Sequence, residues 1–354
     1  MLGLYIHVPF CIKKCRYCDF YSLEYSPETV DGYIDAVIRN IKKYSEKYDT
    51  VYFGGGTPSL LSPDQIFSVL SAADISQNAE ISMECNPKTA DIKKFSDLRA
   101  AGINRLSVGI QSFNDRELSA AGRIHSSADA ISAIKEAYSA GIENISADIM
   151  LGLPYQTEST LSDTLKTAVS LPLEHISAYM LKVEESTPLA HDGQLLSNIA
   201  DEDMLADMYL MTNAVLEAHG FMRYEISNFA QKGYECAHNL KYWHCEDYLG
   251  IGPSAHSCYN GKRFAVPKSL SDFITSEHQT EDMTDHDPCT ENEKIMLGLR
   301  LREGISVQSY SEPEKLLKRA APLEKGGFIT INDGIISLTA EGCLVSNEII
   351  CRLT

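Results

Sequence analysis

The chain has 354 residues, of which 44% are hydrophobic and 23% are charged, a composition typical of a globular protein with a substantial core. Its 49 acidic and 31 basic residues give a net charge of −18, which opposes nucleic acid binding because that requires Lys and Arg to neutralise phosphates. No run approaches twenty uninterrupted apolar residues, so the sequence predicts no transmembrane helix, and its start lacks the pattern of a signal peptide.

The first apolar run, residues 2–8, leads directly into Cys11, Cys15 and Cys18, which have the spacing C-x3-C-x2-C. A four-iron cluster is normally held by four cysteine thiolates, so three local thiols predict a 4Fe-4S cluster with one iron open to a small molecule. Two alternatives stay open at this point. The thiols could hold structural zinc, although zinc usually takes four ligands, or they could be buried or disulfide cysteines, although the basic residues between them make a poor core segment.

The other seven cysteines are scattered along the chain, and without an export signal they indicate reduced thiols rather than disulfides. Most of them are expected to be small buried hydrophobic residues. These features predict a cytoplasmic protein, and they leave open whether it also contacts a membrane peripherally.

Up to about residue 185, short β-rich runs alternate with amphipathic helical stretches. The strand candidates are 2–8, 50–53, 79–85, 105–110, 144–150 and 175–181, and the helix candidates are 27–47, 63–73, 88–101, 126–140 and 161–170. Repeated βα units predict an α/β fold with a parallel sheet, which we interpret as a partial (β/α)6 barrel similar to a TIM barrel. A doubly wound open sheet is the alternative, and in both folds ligands bind at the carboxyl ends of the strands.

Several residues suited to ligand binding follow the predicted strands. A glycine-rich segment, 54–59, comes after the second strand, Glu84 ends the third, Gln111 follows the fourth, and Asp148 lies near the end of the fifth. Each of them alone could be a turn or cap residue. Because parallel strands end at the same edge of a sheet, we expect the four features to meet in one site.

Residues 186–265 are expected to extend the core, and they contain the pattern H-N-x-x-Y-W at His238, Asn239, Tyr242 and Trp243. Imidazole is a common axial ligand of haem iron, and the two aromatic rings are suited to stacking on a porphyrin. The alternative is a core histidine packed among aromatic side chains.

Residues 266–288 are polar and are expected to form a linker to a smaller domain, 289–354. In that domain, predicted helices at 291–301 and 314–321 precede a hairpin at 327–338 and a last helix at 343–351. An Asp333-Gly334 pair supports the hairpin turn. Helices followed by a hairpin predict a winged-helix-like α+β domain, and since it is not markedly basic we expect it to cover the core or contact a partner.

These motifs together resemble the coproporphyrinogen-dehydrogenase-like branch of radical S-adenosylmethionine (SAM) proteins. The resemblance runs from about residue 2 to the C-terminus and includes the cysteine loop, 54–59, Glu84, 109–113, 122–125 and 148–154, in the family's order. It implies the barrel of the radical SAM type, a 4Fe-4S cluster on the three cysteines, and bound SAM.

The resemblance also implies which residues contact SAM, although it assigns no catalytic residue. Tyr5, Gly55 and Glu84 match positions beside the cluster that contact a first SAM. The positions that contact a second SAM in the oxygen-independent dehydrogenase are matched by Gly56, Thr57, Gln111, Arg123, Asp148 and Tyr17.

Two departures from the dehydrogenase pattern matter for function. A further cysteine of the dehydrogenase is replaced here by Phe20, and the dehydrogenase's N-terminal extension has no counterpart ahead of Tyr5. Both features resemble the HemW proteins, a shorter sister group proposed to carry haem, and the H-N-x-x-Y-W pattern is similar to their haem-linked stretch. The resemblance therefore implies that His238, Asn239, Tyr242 and Trp243 bind haem.

The expected function is that of a haem chaperone, which binds haem as cargo and delivers it to target haemoproteins, the membrane respiratory enzymes, with an electron donor for the cluster. The alternative is an oxygen-independent coproporphyrinogen III dehydrogenase, so whether the protein is an enzyme stays open, as does a homodimer. A radical enzyme that modifies RNA is disfavoured by the acidic charge.

Overall fold

Six parallel strands form the centre of the computed structural model, which describes all 354 residues. They are β1 (Leu2–Val8), β2 (Lys47–Gly55), β3 (Asp74–Cys85), β4 (Arg105–Gln111), β5 (Asn144–Leu151) and β6 (His175–Met180). In the sheet they follow one another in chain order, each parallel to the next. A doubly wound sheet would reverse its strand order at a switch point, so the sequential order confirms the partial barrel.

The helices between these strands are α1 (Pro27–Tyr44), α2 (Pro63–Ser71), α3 (Ile92–Ala101), α4 (Asp115–Ala120), α5 (Ser127–Ser139) and α6 (Glu158–Val169). Side-chain caps set several of their starts. The helix predicted from residue 88 begins only at Ile92, because the carboxylate of Asp91 accepts a hydrogen bond from Lys94 N at 2.8 Å and so acts as the N-cap.

Strand β4 shows how one sequence serves both the core and the interior of the barrel. Leu106, Val108 and Ile110 are fully buried in the hydrophobic core. Arg105, Ser107, Gly109 and Gln111 alternate with them and lie on the other face, because successive side chains of a strand point in opposite directions. The barrel interior is therefore polar where its outer surface is apolar.

Six further strands widen the sheet on both sides. They are β7 (Met222–Arg223), β8 (Asn228–Ala230), β9 (Tyr248–Ile251), β10 (His256–Tyr259), β11 (Lys262–Ala265) and β12 (Asp282–Asp285). Strand β9 pairs in parallel with β1, followed outward by β10, β11 and β12, while β8 and β7 continue the sheet beyond β6. Helices α7 (Gly193–Leu196), α8 (Glu202–Ala218) and α9 (Ala237–Trp243) connect these strands.

The segment 266–288 is not the linker that its polar composition predicted. It contains α10 (Leu270–Thr275), whose Phe273 is buried, and β12, which pairs with β11. The buried side chain of Gln279 donates to Gly250 O at 2.9 Å, so the segment is fastened to the sheet by a polar contact that composition does not reveal. The rest of the predicted division into domains stays a prediction.

The C-terminal unit is a small α+β structure, as predicted. It comprises α11 (Glu291–Gly298), β13 (Ile305–Ser306), α12 (Pro313–Lys325), β14 (Ile329–Asn332), β15 (Ile335–Leu338), α13 (Ala340–Leu344) and α14 (Ser346–Leu353). Asp333 and Gly334 have φ values of 52° and 78°, the left-handed pair that a tight hairpin turn requires. None of the helices combines the length and the apolar character that a membrane-spanning segment requires.

Candidate functional site

The carboxyl ends of the barrel strands open into a cleft of about 590 Å³. Its walls bring together most of the residues that the sequence singled out, from the ends of four strands, the cysteine loop, the loop that carries Arg123, and helix α9. Those that line it are Cys11, Cys15, Tyr17, Cys18, Gly55, Gly56, Thr57, Glu84, Gln111, Arg123, Asp148 and Asn239. A volume of this size suits a ligand of several hundred daltons.

The three thiols of the cysteine loop lie along one wall of the cleft, partly exposed. Thr57 Oγ1 donates to Cys11 Sγ at 3.6 Å, and Arg123 Nη1 donates to Cys15 Sγ at 3.2 Å. A guanidinium beside a thiol stabilises the thiolate, which is the form that binds metal.

The composition of the donor set discriminates between the metal alternatives. The cysteine loop supplies three thiols and the cleft no histidine, so the loop leaves a tetrahedral zinc ion one short of its usual four Cys or His ligands. In a four-iron cube each thiolate binds a different iron, so three thiolates leave one iron open. The donor set therefore fits a cluster better than it fits zinc.

The glycine-rich turn after β2 packs directly against the cysteine loop. Gly56 N donates to Val8 O at 2.8 Å, and Thr57 N donates to Phe10 O at 2.7 Å. A Cβ atom on Gly56 would lie 2.6 Å from Phe10 O, so only glycine allows this approach. The turn thereby forms a bare stretch of backbone beside the thiols, where a ligand can be close to both.

Two carboxylates occupy the middle of the cleft. Glu84 Oε2 accepts from Gly55 N at 3.0 Å and Oε1 from Tyr52 OH at 3.2 Å, while Asp148 Oδ1 accepts from Ser107 Oγ at 2.9 Å. Burial, and next the nearby Asp148, raise the pKa of Glu84 to about 7, and burial also raises the pKa of Asp148. Burial disfavours the ionised forms of both carboxyl groups. A ligand that carries a sulfonium and an ammonium group would therefore be stabilised between them, because its positive charge offsets theirs.

Tyr5, which the resemblance placed beside SAM, does not line the cleft. Its ring lies behind Gly54, and its hydroxyl is hydrogen-bonded to His7 Nδ1 at 3.2 Å. The cleft is lined instead by Tyr52, the neighbour of Tyr5 across the β1–β2 pair, whose ring stacks on Tyr5 with centroids 6.2 Å apart. Tyr5 is thus separated from the cleft by the ring of Tyr52.

Other lining residues were not foreseen. Arg105, Ser107, Ser177, Tyr179 and Lys182 all face the cleft. For Arg105 and Ser107 the sequence of β4 contains a usable signal. Its polar and glycine residues alternate with buried aliphatic ones, and that alternation predicts a strand with one polar face.

The predicted haem ligand, His238, conflicts with its surroundings in the structure. Its side chain is fully buried, with Nδ1 hydrogen-bonded to Thr50 Oγ1 at 2.8 Å and Nε2 to Tyr242 OH at 2.8 Å. Burial, followed by the nearby Lys241 and Arg105, lowers the pKa of His238 to about 3, so the ring is neutral. With both nitrogens engaged inside the core, His238 has the position of a packed core histidine and presents no lone pair to haem iron.

Helix α9, which carries the H-N-x-x-Y-W pattern, closes the barrel from below. The carboxylate of Glu80 accepts from Ala237 N at 3.1 Å and from His238 N at 3.2 Å, so it satisfies the first amides of the helix. Asn239 projects to the floor of the cleft, whereas Trp243 is covered by the guanidinium of Arg300, 4.3 Å from the ring centroid. Of the four residues predicted to bind haem, only Asn239 lines the cleft.

Three of the cysteines that are scattered in sequence meet in space, outside the cleft. Cys258 Sγ lies 3.9 Å from Cys289 Sγ, and Cys289 Sγ donates to Cys245 O at 3.7 Å. Burial raises the pKa of Cys258 and of Cys289 to about 11, which keeps both thiols protonated at neutral pH.

Two family models match the chain: the radical SAM superfamily over residues 5–168 and the HemN C-terminal domain over residues 292–345. The heme chaperone HemW of Bacillus subtilis is 35% identical, with 99% of this chain and 98% of that protein covered. The heme chaperone HemW of Haemophilus influenzae is 34% identical, with 99% and 97% covered.

Among solved structures, the coproporphyrinogen III oxidase (HemN) of Escherichia coli, a radical SAM enzyme, has a TM-score of 0.84 at 22% identity, with 99% of this chain and 89% of that chain covered. This likeness shows that the two share a fold. Radical SAM proteins carry a 4Fe-4S cluster and SAM, and these are the cofactors of this protein. The near full-length similarity to curated relatives shows that the chain belongs to the HemW family of radical SAM proteins.

Proposed function

We propose that this protein is a haem chaperone of the radical SAM type, which binds haem and passes it to target haemoproteins. The observation that carries the proposal is the similarity to heme chaperone HemW proteins over almost the whole length of both chains. The presence of Phe20 at the position of the dehydrogenase's additional cysteine points the same way.

In this proposal the thiols of Cys11, Cys15 and Cys18 would hold the cluster, which when bound would supply an open coordination site and an electron for SAM. The residues of the cleft position that ligand. The bare backbone at Gly55 and Gly56 lets it approach the thiol loop, while the carboxylates of the cleft balance its positive charge. Arg123 is held by Cys15 and by Gly109 O, so it links the cysteine loop to β4.

The mouth of the cleft is suited to a haem. Phe20 is 68% exposed and Ile12 is 53% exposed, both on the cysteine loop. Lys13 and Lys14 also line the mouth. An apolar side chain flanked by ammonium groups matches a porphyrin, which has flat apolar faces and two propionates. We therefore assign haem to this mouth, instead of to the buried imidazole of His238.

The proposal extends to the protein's surroundings. We infer that haem is delivered to membrane respiratory haemoproteins, that a separate donor reduces the cluster, and that the protein works in the cytoplasm or peripherally at the membrane. These inferences rest on the resemblance to HemW proteins. A homodimer is a further option, which light scattering on the reconstituted protein tests.

The test is anaerobic reconstitution of the cluster followed by two assays on the same preparation. A haem titration followed by Soret absorbance should show stoichiometric binding, because a chaperone must hold its cargo. Incubation with coproporphyrinogen III, SAM and dithionite should give no turnover to protoporphyrinogen. Steady decarboxylation without stoichiometric haem binding would replace the chaperone assignment with that of a dehydrogenase.

A further inference from the structure

The three thiols that meet outside the cleft come from different parts of the fold. Cys258 lies on β10, Cys245 follows α9, and Cys289 precedes α11 of the C-terminal unit. Cys258 Sγ and Cys289 Sγ are 3.9 Å apart, although the two residues lie 31 positions apart in the chain. A disulfide bond requires these sulfur atoms to approach by only about 2 Å, which side-chain rotation can supply.

The backbone around Cys289 is fastened beside the sheet that carries Cys258. Cys289 N donates to Glu293 Oε2, and Glu293 Oε1 forms an ion pair with Arg263 Nη1 of β11 at 2.6 Å. Strand β11 is the neighbour of β10. Cys289 has a φ of 65°, a left-handed conformation that a residue with a side chain adopts only where its contacts impose it. The closeness of the two thiols is therefore built into the fold.

The two thiols differ in their access to solvent. Cys289 is partly exposed, whereas Cys258 is buried. Cys258 and Cys245 line a second cavity, of about 210 Å³, which is separate from the cleft. A small reagent that arrives from solvent therefore meets Cys289 before it meets Cys258.

The surroundings favour thiol chemistry over metal binding at this place. No histidine lines the second cavity, and both of its carboxylates are engaged, Glu293 with Arg263 and Glu246 with Lys241 at 3.0 Å. A tetrahedral zinc ion would therefore lack a fourth ligand beside the three thiols. The guanidinium of Arg263 also lines the cavity, and its positive charge opposes a bound metal cation.

We propose that Cys258 and Cys289 form a reversible redox pair, which an oxidant converts into a disulfide between β10 and the segment that leads into α11. The oxidant is hydrogen peroxide or a low-molecular-weight disulfide, since both accept two electrons from a pair of thiols. The bond fastens the C-terminal unit covalently to the sheet. This inference is independent of the proposed function, because it concerns thiols outside the cleft.

The reaction balances with either oxidant. The sulfur of Cys289 attacks peroxide, the O–O bond breaks, and a sulfenic acid and one water are formed. The sulfur of Cys258 then attacks the sulfenic sulfur, the S–O bond breaks, and a second water is released. With a low-molecular-weight disulfide, Cys289 displaces the first small thiol to give a mixed disulfide, and Cys258 displaces the second.

The electrostatics of the pair keep it reduced until an oxidant persists. The thiolate is the reacting form, and burial raises the pKa of both Cys258 and Cys289, so each attack is slow at neutral pH. Proximity favours the second step, because the partner thiol is already in contact when the first adduct forms. In a reducing compartment such disulfides are transient and respond to the redox state.

The experiment maps disulfides in the reconstituted holoprotein. One sample is incubated anaerobically with glutathione disulfide and another with hydrogen peroxide, free thiols are then alkylated, and the protein is digested without reductant. Mass spectrometry should find most of Cys289 in a peptide linked to the peptide of Cys258, and dithiothreitol should release the link. The arm that produces the link identifies the class of oxidant.

Three serine variants test the order of the steps in the glutathione arm. Cys258→Ser should stop at the mixed disulfide, with glutathione on Cys289. Cys289→Ser should leave Cys258 unmodified, because the buried thiol does not meet the reagent. Cys245→Ser is the matched control, which removes the third thiol and should still give the link.

The wild-type map decides the proposal even if a variant fails to fold. Absence of the Cys258–Cys289 link in both arms, or a link between Cys245 and Cys289 as the main product, would overturn the redox pair. A protein that binds no haem but forms the link would contradict the chaperone proposal and leave this inference intact.

Discussion

Individual side chains in the cleft combine burial with an unusual charge state, and Glu84 is the clearest case. It lies among Gly55, Tyr52 and Asp148, in a position where its ionised form is penalised. A carboxyl group with a pKa near 7 is half neutral at physiological pH, so a cation that enters the cleft can draw it into the ionised state. Binding of SAM should then be linked to release of a proton.

This linkage predicts the pH dependence of SAM binding. Because the folded pKa of Glu84 is raised from 4.5 to about 7, the carboxylate becomes ionised as the pH rises through about 7, and affinity for cationic SAM should rise with it. Between about pH 8 and about pH 6 we expect affinity to fall about tenfold in the wild type. Calorimetry across this range measures the effect.

Glu84→Gln is the matched control, since it preserves shape and removes titration. Its SAM affinity should be low and nearly independent of pH. The raised pKa also means that the apoprotein loses stability as the pH rises from about 4.5 through about 7, because the unfolded chain releases this proton first. A wild-type SAM affinity that rises toward low pH would show that another group controls binding.

The elements that could be predicted from sequence are the local ones. Each barrel strand is a β-rich run bounded by helix signals, and the β14–β15 hairpin follows from its Asp-Gly turn, so neighbouring residues suffice to specify them. By contrast, β9 (Tyr248–Ile251) has only four residues and pairs with β1, which begins at Leu2, so the two strands are far apart in sequence. Such nonlocal pairing leaves no periodic signal.

Helix α9 shows that functional residues, like strand pairing, cannot be predicted where they depend on nonlocal contacts. Its aromatic and imidazole groups match a haem-binding pattern in composition, whereas their roles depend on Thr50 and Glu80, which belong to distant strands. The cleft residues at strand ends were predictable because parallel strands end at one edge of the sheet. The position of Arg105 in the cleft could not be predicted in this way, since Arg105 lies at the amino end of its strand.

The position of α9 predicts that His238 stabilises the fold. In His238→Ala the hydroxyls of Thr50 and Tyr242 would lose their partner inside the core, so the free energy of unfolding should fall by about 2–5 kcal/mol. Urea unfolding under reducing conditions measures this change. The exposed His219, changed to Ala, serves as the control and should have little effect.

Haem affinity of the folded fraction of His238→Ala should stay close to that of the wild type, because the imidazole does not reach the cleft. A variant of unchanged stability that no longer binds haem would instead restore His238 as the axial ligand. That result would require α9 to leave the barrel in the haem-bound state.

On the scale of the whole molecule, the two ends of the barrel differ in structure. The amino end is sealed by α9, and the carboxyl end carries the cleft with the thiols at its mouth. Phe20, which is exposed, lines the cleft at this end. The C-terminal unit packs against α9, where Arg300 covers Trp243. Its helix α11 follows Cys289, the cysteine that meets Cys258 of β10.

This arrangement separates two groups of three cysteines, and they should behave differently. Cys15→Ala should abolish the 4Fe-4S cluster, because two remaining thiolates leave two irons of the cube without protein ligands. Cys289→Ala should leave the cluster intact, since its thiol contacts Cys258 and Cys245 O, outside the cleft. Iron and acid-labile sulfide, measured after anaerobic reconstitution, give the comparison directly. Full iron and sulfide content in Cys15→Ala, or their loss in Cys289→Ala, would contradict the assignment of the cluster to the cleft.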